Sequence, residues 1–161
     1  MILARYNTPA LKRELGNYIS GYVDGEGCFS VSFSKREKLL MGWEVKPSFA
    51  VGQNYDRREV LDLMAAYFDC GFMRRDYADK TLKYEVRSLG ELLKKVVPHF
   101  EKFPLKSSKQ KVFLLFAKIC KRMNQLKHLN IKGFREIVEL AYQMNESGKR
   151  KYSKIEMLKS F

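Results

Sequence analysis

Cysteine, histidine and long apolar runs are all scarce in this chain, and each scarcity excludes a class of protein. The three cysteines are widely spaced, form no CxxC pair, and neither of the two histidines lies at ligand spacing from them. Reduced core thiols are therefore expected, rather than a disulfide framework or a zinc site. No apolar run approaches the roughly 20 residues of a membrane-spanning helix, so no membrane partner is expected. Charges interrupt the N-terminal segment before any secretory signal could form, which predicts an intracellular protein that is not secreted.

Acidic residues are outnumbered, with 18 Asp and Glu against 31 Lys and Arg, and the net charge is +13. Such an excess makes a polyanion the first partner to consider, whether nucleic acid or an anionic membrane surface. A merely basic protein is the alternative. A length of 161 residues with 45% hydrophobic content predicts one globular domain over residues 1–161.

Residues 8–26 are predicted to form a helix with two packing faces, beginning with Thr8 as N-cap and Pro9 in the first helical position. One face is an apolar stripe. The other consists of small or short residues: Asn17, Ser20, Gly21, Asp24 and Gly25. An interior glycine costs about 1 kcal/mol relative to alanine, so this stripe indicates close approach of another backbone. Two carboxylates, Asp24 and Glu26, arrive where the helix must end, which suggests metal chemistry.

Alternation of apolar and polar residues predicts strands near residues 29–34, 43–51, 72–77 and 82–86. Helical patterns are expected over residues 56–68, from 88 until Pro98 limits the helix, and over 108–125 and 130–145, with a short helix from 153. Pro47 favours an edge position or a bulge for the second strand. The order predicts an α+β fold with one antiparallel sheet covered by helices on a single face.

The polar faces of the predicted strands, with the basic turns beside them, are candidates for duplex DNA binding. A β-ribbon fits the major groove, where mixed polar side chains read base edges, while Arg and Lys also contact phosphates. A solvated sheet face is the alternative. The candidate residues are Ser30, Ser32, Ser34, Lys35, Arg36, Lys38, Glu44, Lys46, Ser48, Arg74, Arg75, Asp76, Lys83, Glu85 and Arg87.

The nine residues 19–27, Ile-Ser-Gly-Tyr-Val-Asp-Gly-Glu-Gly, resemble the signature motif of LAGLIDADG homing endonucleases. Ile19 and Ser20 stand in place of Leu and Ala, and Tyr22 in place of Leu. Glu26 replaces the final Asp and keeps the carboxylate on a longer side chain. The order of elements resembles the family's αββαββα fold, with a saddle-shaped antiparallel sheet.

This resemblance implies a site-specific double-strand DNA endonuclease of the single-motif type. It would act as a homodimer on a long pseudo-palindromic site and leave short 3′ overhangs. Mg²⁺ would be the cofactor, with Mn²⁺ or Ca²⁺ able to take its place, and no small-molecule cofactor is expected. The protein would work on DNA in a bacterial or archaeal cytoplasm or in an organelle, as intron-encoded members of the family do.

The resemblance also assigns roles at the motif itself. Glu26 would be the metal ligand, one from each subunit, assisted by the carbonyl group of Gly25. The small-residue face would pair two copies of the helix. Asp24 would brace that contact rather than bind metal.

Other positions follow from the family pattern. Gln53, at the end of the second strand, would order water in the active site. Lys106 would be the lysine of the catalytic pocket, with Lys109 a lesser candidate. Arg57 would join the basic residues that contact the DNA and its solvent.

Two other functions stay open at this stage. One is a non-catalytic DNA- or RNA-binding relative on the same fold, such as an intron maturase or a regulator. The other is a generic basic α+β module that binds RNA. The presence of Glu26, Gln53 and Lys106 together favours the enzyme, because a pure binder would not need all three. His99 and His128 are isolated on helical segments and are expected to be structural.

Overall fold

Helix α1, Pro9–Glu26, carries the motif and is bounded as the sequence predicts. The computed structural model describes residues 2–146 and 148–159. The side chain of Thr8 caps α1 by accepting the N–H of Leu11, after a short 3₁₀ turn at Ile2–Arg5. At Gly27 the backbone becomes extended, so Glu26 is the last helical residue and the first strand begins directly after it.

The four predicted strands are present as β1 (Gly27–Lys35), β2 (Trp43–Asn54), β3 (Phe72–Asp76) and β4 (Thr81–Val86). They form one sheet in the order β1-β2-β4-β3, and β4 pairs antiparallel with both β2 and β3. Buried and exposed side chains alternate along β1, as period two requires. The α+β class and the αββαββα order are confirmed.

Of the two alternatives predicted from Pro47, an edge position or a bulge, the edge position is wrong, because β2 lies between β1 and β4. The pairing of β2 with β4 begins only at Phe49, opposite Val86. Pro47 therefore precedes the segment in which β2 must donate backbone hydrogen bonds to β4.

Helix α2, Glu59–Phe68, begins three residues later than predicted, after a 3₁₀ turn at Tyr55–Arg57. The turn into β3 needs Gly71, whose φ is +75° and whose added Cβ would lie 2.5 Å from the carbonyl oxygen of Glu85. Only glycine fits such a position without strain.

Pro98 does not end the helix that follows β4, contrary to prediction. Ser88 caps α3 (Leu89–Glu91) by accepting the N–H of Glu91. A π-helical segment, Leu92–Val96, then leads directly into α4, Val97–Lys102. Pro98 falls in the first turn of α4, where the missing N–H of a proline is tolerated best.

The C-terminal part contains α5 (Lys109–Asn124), α6 (Ile131–Met144) and α7 (Lys154–Leu158). Asn130 caps α6 through the N–H of Gly133, and Ser153 caps α7 through the N–H of Glu156. The predicted helices are confirmed here to within one residue at their starts.

The chain divides into two compact units, each with an apolar core. The first comprises the residues up to 29 together with 48–110, and the second comprises 30–47 with the residues from 111 onward. Rings of Phe29, Phe49 and Phe100 pack in the first unit, and Phe33 packs edge-on against Phe134 in the second. The prediction of one domain over residues 1–161 stays a prediction. No helix in the described part of the chain is long and apolar enough to cross a membrane.

Candidate active site

Glu26 presents an exposed carboxylate at the C-terminal end of α1. The last carbonyl groups of a helix have no partner within the helix, and that of Gly25 belongs to this final turn. An acidic side chain and a backbone carbonyl group therefore occur side by side in the sequence at a helix end. Both are oxygen ligands.

Asp24 lies in the last turn of α1, and its side chain is hydrogen-bonded to the loop that precedes α5. Its carboxylate accepts the backbone N–H groups of Lys106 and Ser107, both at 2.9 Å, and the hydroxyl of Ser107. The hydroxyl bond of Ser107, with the two backbone bonds and the charge of Lys109, lowers the pKa of Asp24. This carboxylate is thus an acceptor within its own chain, and a role between two copies stays a prediction.

Lys106 and Lys109, the two lysines predicted for the pocket, have different environments. Lys106 binds Asp24 through its backbone, and its side chain is exposed. Lys109 is partly buried, and its ammonium group donates to the carbonyl oxygens of Val23 at 3.0 Å and Gly27 at 2.7 Å. No local pattern in the sequence predicts the two bonds of the Lys109 ammonium group.

Gln53 is the second-last residue of β2, and its side chain also contacts α1. Its side-chain amide donates to the hydroxyl of Tyr22 at 2.6 Å, and its carbonyl oxygen accepts the N–H of Asn54 at 2.8 Å. Tyr22 precedes Glu26 by one helical turn. The structure therefore attaches Gln53 and the loop of Lys106 to the same end of α1 that carries Glu26.

The small-residue face of α1 is exposed at Asn17, Gly21 and Gly25. A Cβ added to Gly21 or Gly25 would have no heavy atom of the described residues within 4 Å beyond the helix itself. No contact among the described residues requires these two glycines. Their place at a contact between two copies stays a prediction.

Ser20 was predicted on that same face, and this is wrong. Its side chain is only 4% exposed, its hydroxyl donates to the carbonyl oxygen of Phe103 at 2.6 Å, and it lies 3.1 Å from Nε2 of His99. The hydroxyl of Tyr67 lies 3.0 Å from Nδ1 of His99. Sequence reasoning missed this buried network because its members are remote in the chain and follow no motif.

Comparison with known proteins decides the family. A family model described as LAGLIDADG endonuclease matches residues 19–120, more than half of the chain. Homing endonuclease I-ApeII of Aeropyrum pernix is 30% identical over 151 residues, covering 90% of this chain and 89% of that protein.

The chain belongs to the LAGLIDADG endonuclease family.

Other LAGLIDADG proteins show how far the likeness extends. Probable intron-encoded endonuclease 2 of Neurospora crassa is 31% identical over 130 residues, which is 80% of this chain and 29% of that protein. The chain spans between 24% and 29% of the length of three fungal relatives of this kind. The archaeal intron-encoded homing endonuclease I-Vdi141I, solved in complex with DNA, superposes with a TM-score of 0.85 at 28% identity. That match covers 92% of this chain and 95% of the archaeal one.

The donor set at the motif fits a hard divalent cation, which takes oxygen ligands and retains water. Glu26 and the carbonyl group of Gly25 supply oxygen only. The described residues contain no cluster of three or more His, Cys, Asp or Glu side chains that could hold a metal. A LAGLIDADG relative, I-SmaMI, has been solved on uncleaved DNA in the presence of calcium ions.

On the first unit's polar strand face, Glu85 organises the cations predicted to bind DNA. It is 6% exposed, and its carboxylate accepts bonds from Arg87 at 2.9 and 3.0 Å, Ser48 at 3.2 Å and Arg74 at 3.4 Å. Burial alone would raise the pKa of Glu85, but these bonds and the two arginine charges lower it. Lys83 lies opposite Arg74 on the paired strand and shares this face.

The second unit contains a similar arrangement around Glu44. This carboxylate accepts from Arg36 at 2.9 Å and from Ser34 at 3.4 Å, and it pairs with Lys46 at 3.4 Å. Ser30, Ser32 and Lys38 are exposed in the same unit. A single acid thus fixes two cations and a serine in each unit.

Two predicted members of the polar faces lie elsewhere. Arg75 pairs with Leu82, so its side chain shares the face of buried Leu82, and its guanidinium stacks on Tyr55 at 3.8 Å and Tyr77 at 4.8 Å. Lys35 likewise alternates in step with buried Phe33. Neither residue lies on the polar strand face, because at strand ends a cation can occupy the apolar face over an aromatic ring. Their contact with DNA stays a prediction.

Lys35 lies over the rings of Trp43 and Tyr152, at 5.7 and 5.3 Å. Asp76 accepts the N–H of Ala78 and so shapes the β3–β4 turn. Arg57 is exposed in the 3₁₀ turn before α2. Whether these residues contact DNA stays a prediction.

Proposed function

We propose that this chain is a homodimeric, Mg²⁺-dependent endonuclease that cleaves both strands of a specific site in duplex DNA. One observation carries the proposal: the exposed carboxylate of Glu26 ends a helix to which both Gln53 and the loop of Lys106 are bonded. A single domain over residues 1–161, acting on DNA inside the cell, is part of this proposal. The similarity to homing endonuclease I-ApeII, over 90% of this chain and 89% of that protein, supports the proposal.

The residues divide the chemistry of phosphodiester hydrolysis among them. Glu26 and the Gly25 carbonyl group would hold Mg²⁺, which when bound supplies water activation and stabilises charge on the phosphate and the leaving 3′ oxygen. Gln53, oriented by Tyr22, is suited to hydrogen-bond a water molecule beside the phosphate. The exposed ammonium group of Lys106 is suited to offset negative charge on the phosphate oxygens.

A second copy of the chain is proposed to complete the site. Two Glu26 carboxylates brought to about 5 Å from each other would repel by roughly 3 kcal/mol at an effective dielectric constant of 20, which bound cations offset. The open sides of Gly21 and Gly25 support helix-to-helix contact along α1. A two-fold dimer reads a pseudo-palindromic site and makes one cut in each strand.

Incubation of the protein with a randomised duplex library and Mg²⁺, followed by sequencing of the cleaved ends, tests the proposal. We expect one long pseudo-palindromic site, cut in both strands with short 3′ overhangs. Uncut but bound duplex would favour a non-catalytic relative, such as a maturase or regulator. Tighter binding to single-stranded RNA than to duplex DNA in a gel-shift assay would favour a basic RNA-binding module.

A further inference from the structure

The end of α1 and the start of α5 cap each other. From the α5 side, the ammonium group of Lys109 donates to the carbonyl oxygens of Val23 at 3.0 Å and Gly27 at 2.7 Å. These two carbonyl groups flank Glu26 in the chain, three residues before it and one after. The carbonyl oxygen of Val23 also accepts the backbone N–H of Gly27, so the ammonium group is a second donor there, and its charge opposes the negative end of the helix dipole.

From the α1 side, the carboxylate of Asp24 caps the beginning of α5. Its carboxylate accepts the N–H groups of Lys106 and Ser107, both at 2.9 Å. Ser107 joins the two halves, because its hydroxyl donates to Asp24 and accepts the backbone N–H of Lys109 at 3.1 Å. The bonds form a closed circuit between the two helix ends.

We propose that this circuit sets the position of Glu26 relative to Lys106, and that Lys109 is its positioning residue. Lys109 holds the backbone on both sides of Glu26, and Asp24 holds the backbone of Lys106. The ammonium group of Lys109 is hydrogen-bonded to carbonyl oxygens, whereas the side chain of Lys106 is exposed and available to substrate. The inference rests on the proposed function, since it gives the circuit a role in metal-dependent cleavage.

Positioning has a consequence that simple stabilisation lacks. If Lys109 fixes the turn that bears Glu26, its loss should weaken Mg²⁺ binding by about tenfold or more, as removal of groups that orient a metal ligand does. Affinity for duplex DNA in Ca²⁺-free buffer should hardly change, because Lys109 is not on the polar strand faces. Cleavage should recover at high Mg²⁺.

The test compares Lys109→Met with Lys109→Arg and with Lys111→Met, a change at an exposed lysine one half-turn further along the same helix. Two measurements are made: the Mg²⁺ concentration for half-maximal cleavage, and amide hydrogen exchange over residues 24–29 without metal. For Lys109→Met we expect a half-maximal concentration and exchange rates each raised about tenfold. Lys111→Met should match wild type, and Lys109→Arg should lie between, since a guanidinium can still donate to both carbonyl groups.

Equal behaviour of Lys109→Met and Lys111→Met in both measurements would overturn the inference. If the wild-type chain cleaves no DNA, the proposed function fails, while the exchange rates still show whether the circuit holds the turn of Glu26. If Lys109→Met does not fold, Ser107→Ala is tested in its place. This change removes the hydroxyl that links Asp24 to the backbone of Lys109, and it leaves every charge unchanged. Unchanged exchange over residues 24–29 in Ser107→Ala would then count against the circuit.

Discussion

His99 shows how one buried side chain can join three helices. Its two ring nitrogens contact Ser20 of α1 and Tyr67 of α2, while His99 itself belongs to α4. Because the hydroxyl of Ser20 donates to the carbonyl oxygen of Phe103, it must accept from Nε2–H, and Nδ1 then accepts from Tyr67. Every polar atom is satisfied only while the imidazole is neutral.

Acid should destabilise the protein through this residue. Burial lowers the pKa of His99 to about 4, from 6.5 in the unfolded chain. The neutral ring is favoured in the folded state, so its contribution is complete above pH 6.5 and is lost as the pH falls towards 4. The loss should approach about 3 kcal/mol, at roughly 1.4 kcal/mol for each pKa unit.

Urea unfolding of wild type and His99→Phe between pH 4 and 7 measures this contribution. The variant loses hydrogen bonds at every pH, so the slope of the unfolding free energy against pH is compared rather than its absolute value. His99→Phe should show the shallower slope over this range. Identical slopes would mean that His99 is not the group that takes up the proton.

At the scale of elements, α1 serves different neighbours along its length. Gly16 faces inward, where an added Cβ would lie 2.5 Å from the ring of Phe103, whereas Gly21 and Gly25 face open space. The sequence predicted a small-residue face but could not separate an intrachain contact from an exposed one. Glycine is selected by both, and only the fold shows which neighbour is present.

Alanine at Gly16 and at Gly21 should therefore have opposite effects on the unfolding of the isolated chain. Gly16→Ala should lower the unfolding free energy by about 1–3 kcal/mol, because the ring of Phe103 must move. Gly21→Ala should raise it by up to about 1 kcal/mol through helix propensity, yet weaken the proposed dimer. Chemical denaturation and sedimentation check the two effects. A Gly21→Ala chain that dimerises as tightly as wild type would contradict the assigned interface.

The strands show where periodic patterns succeed and where they fail. Alternation predicted all four strands and the polar faces, because each strand has one buried side. It failed at the ends, where Arg75 and Lys35 cover aromatic rings on the apolar side. Pro98 was misread for a related reason, since a π-helical segment placed it where no N–H is needed. Long-range partners, such as those of Lys109 and Ser20, leave no local pattern in the sequence.

Glu85 should restrain the affinity of the sheet for DNA while ordering its arginines. Glu85→Gln removes the charge that holds Arg74 and Arg87, so both become available to phosphates. Binding to non-specific duplex should then strengthen and depend more on salt, with the slope of log K against log salt steeper by about one or two. Discrimination in favour of the cognate site should fall.

Titration of labelled duplex at several salt concentrations measures these changes. Glu139→Gln is the matched control, because Glu139 pairs with Lys154 between α6 and α7 and not with a strand residue. The same salt slope for both variants would show that Glu85 does not restrain the two arginines.

At the scale of the whole molecule, the net charge and the two-fold symmetry of the proposed dimer both favour duplex DNA as the substrate. A net charge of +13 draws the chain to a polyanion, but this attraction is independent of sequence and supplies no chemistry. In the proposed function, catalysis depends on a few oxygen atoms at the end of α1, and the described residues contain no cluster of three or more His, Cys, Asp or Glu side chains that could hold a metal. The proposed dimer supplies a second set of these oxygen atoms and matches the two strands of the duplex.

The role of Glu26 is the central claim, and cleavage by Glu26→Gln tests it most directly. The amide keeps the size of the side chain and removes the charge that a divalent cation requires. With Mg²⁺ and the selected site, the variant should lose cleavage by a factor of at least about 10³, or roughly 4 kcal/mol of transition-state stabilisation, while binding the same duplex within about twofold of wild type. Cleavage by Glu26→Gln at a rate near that of wild type would contradict the account.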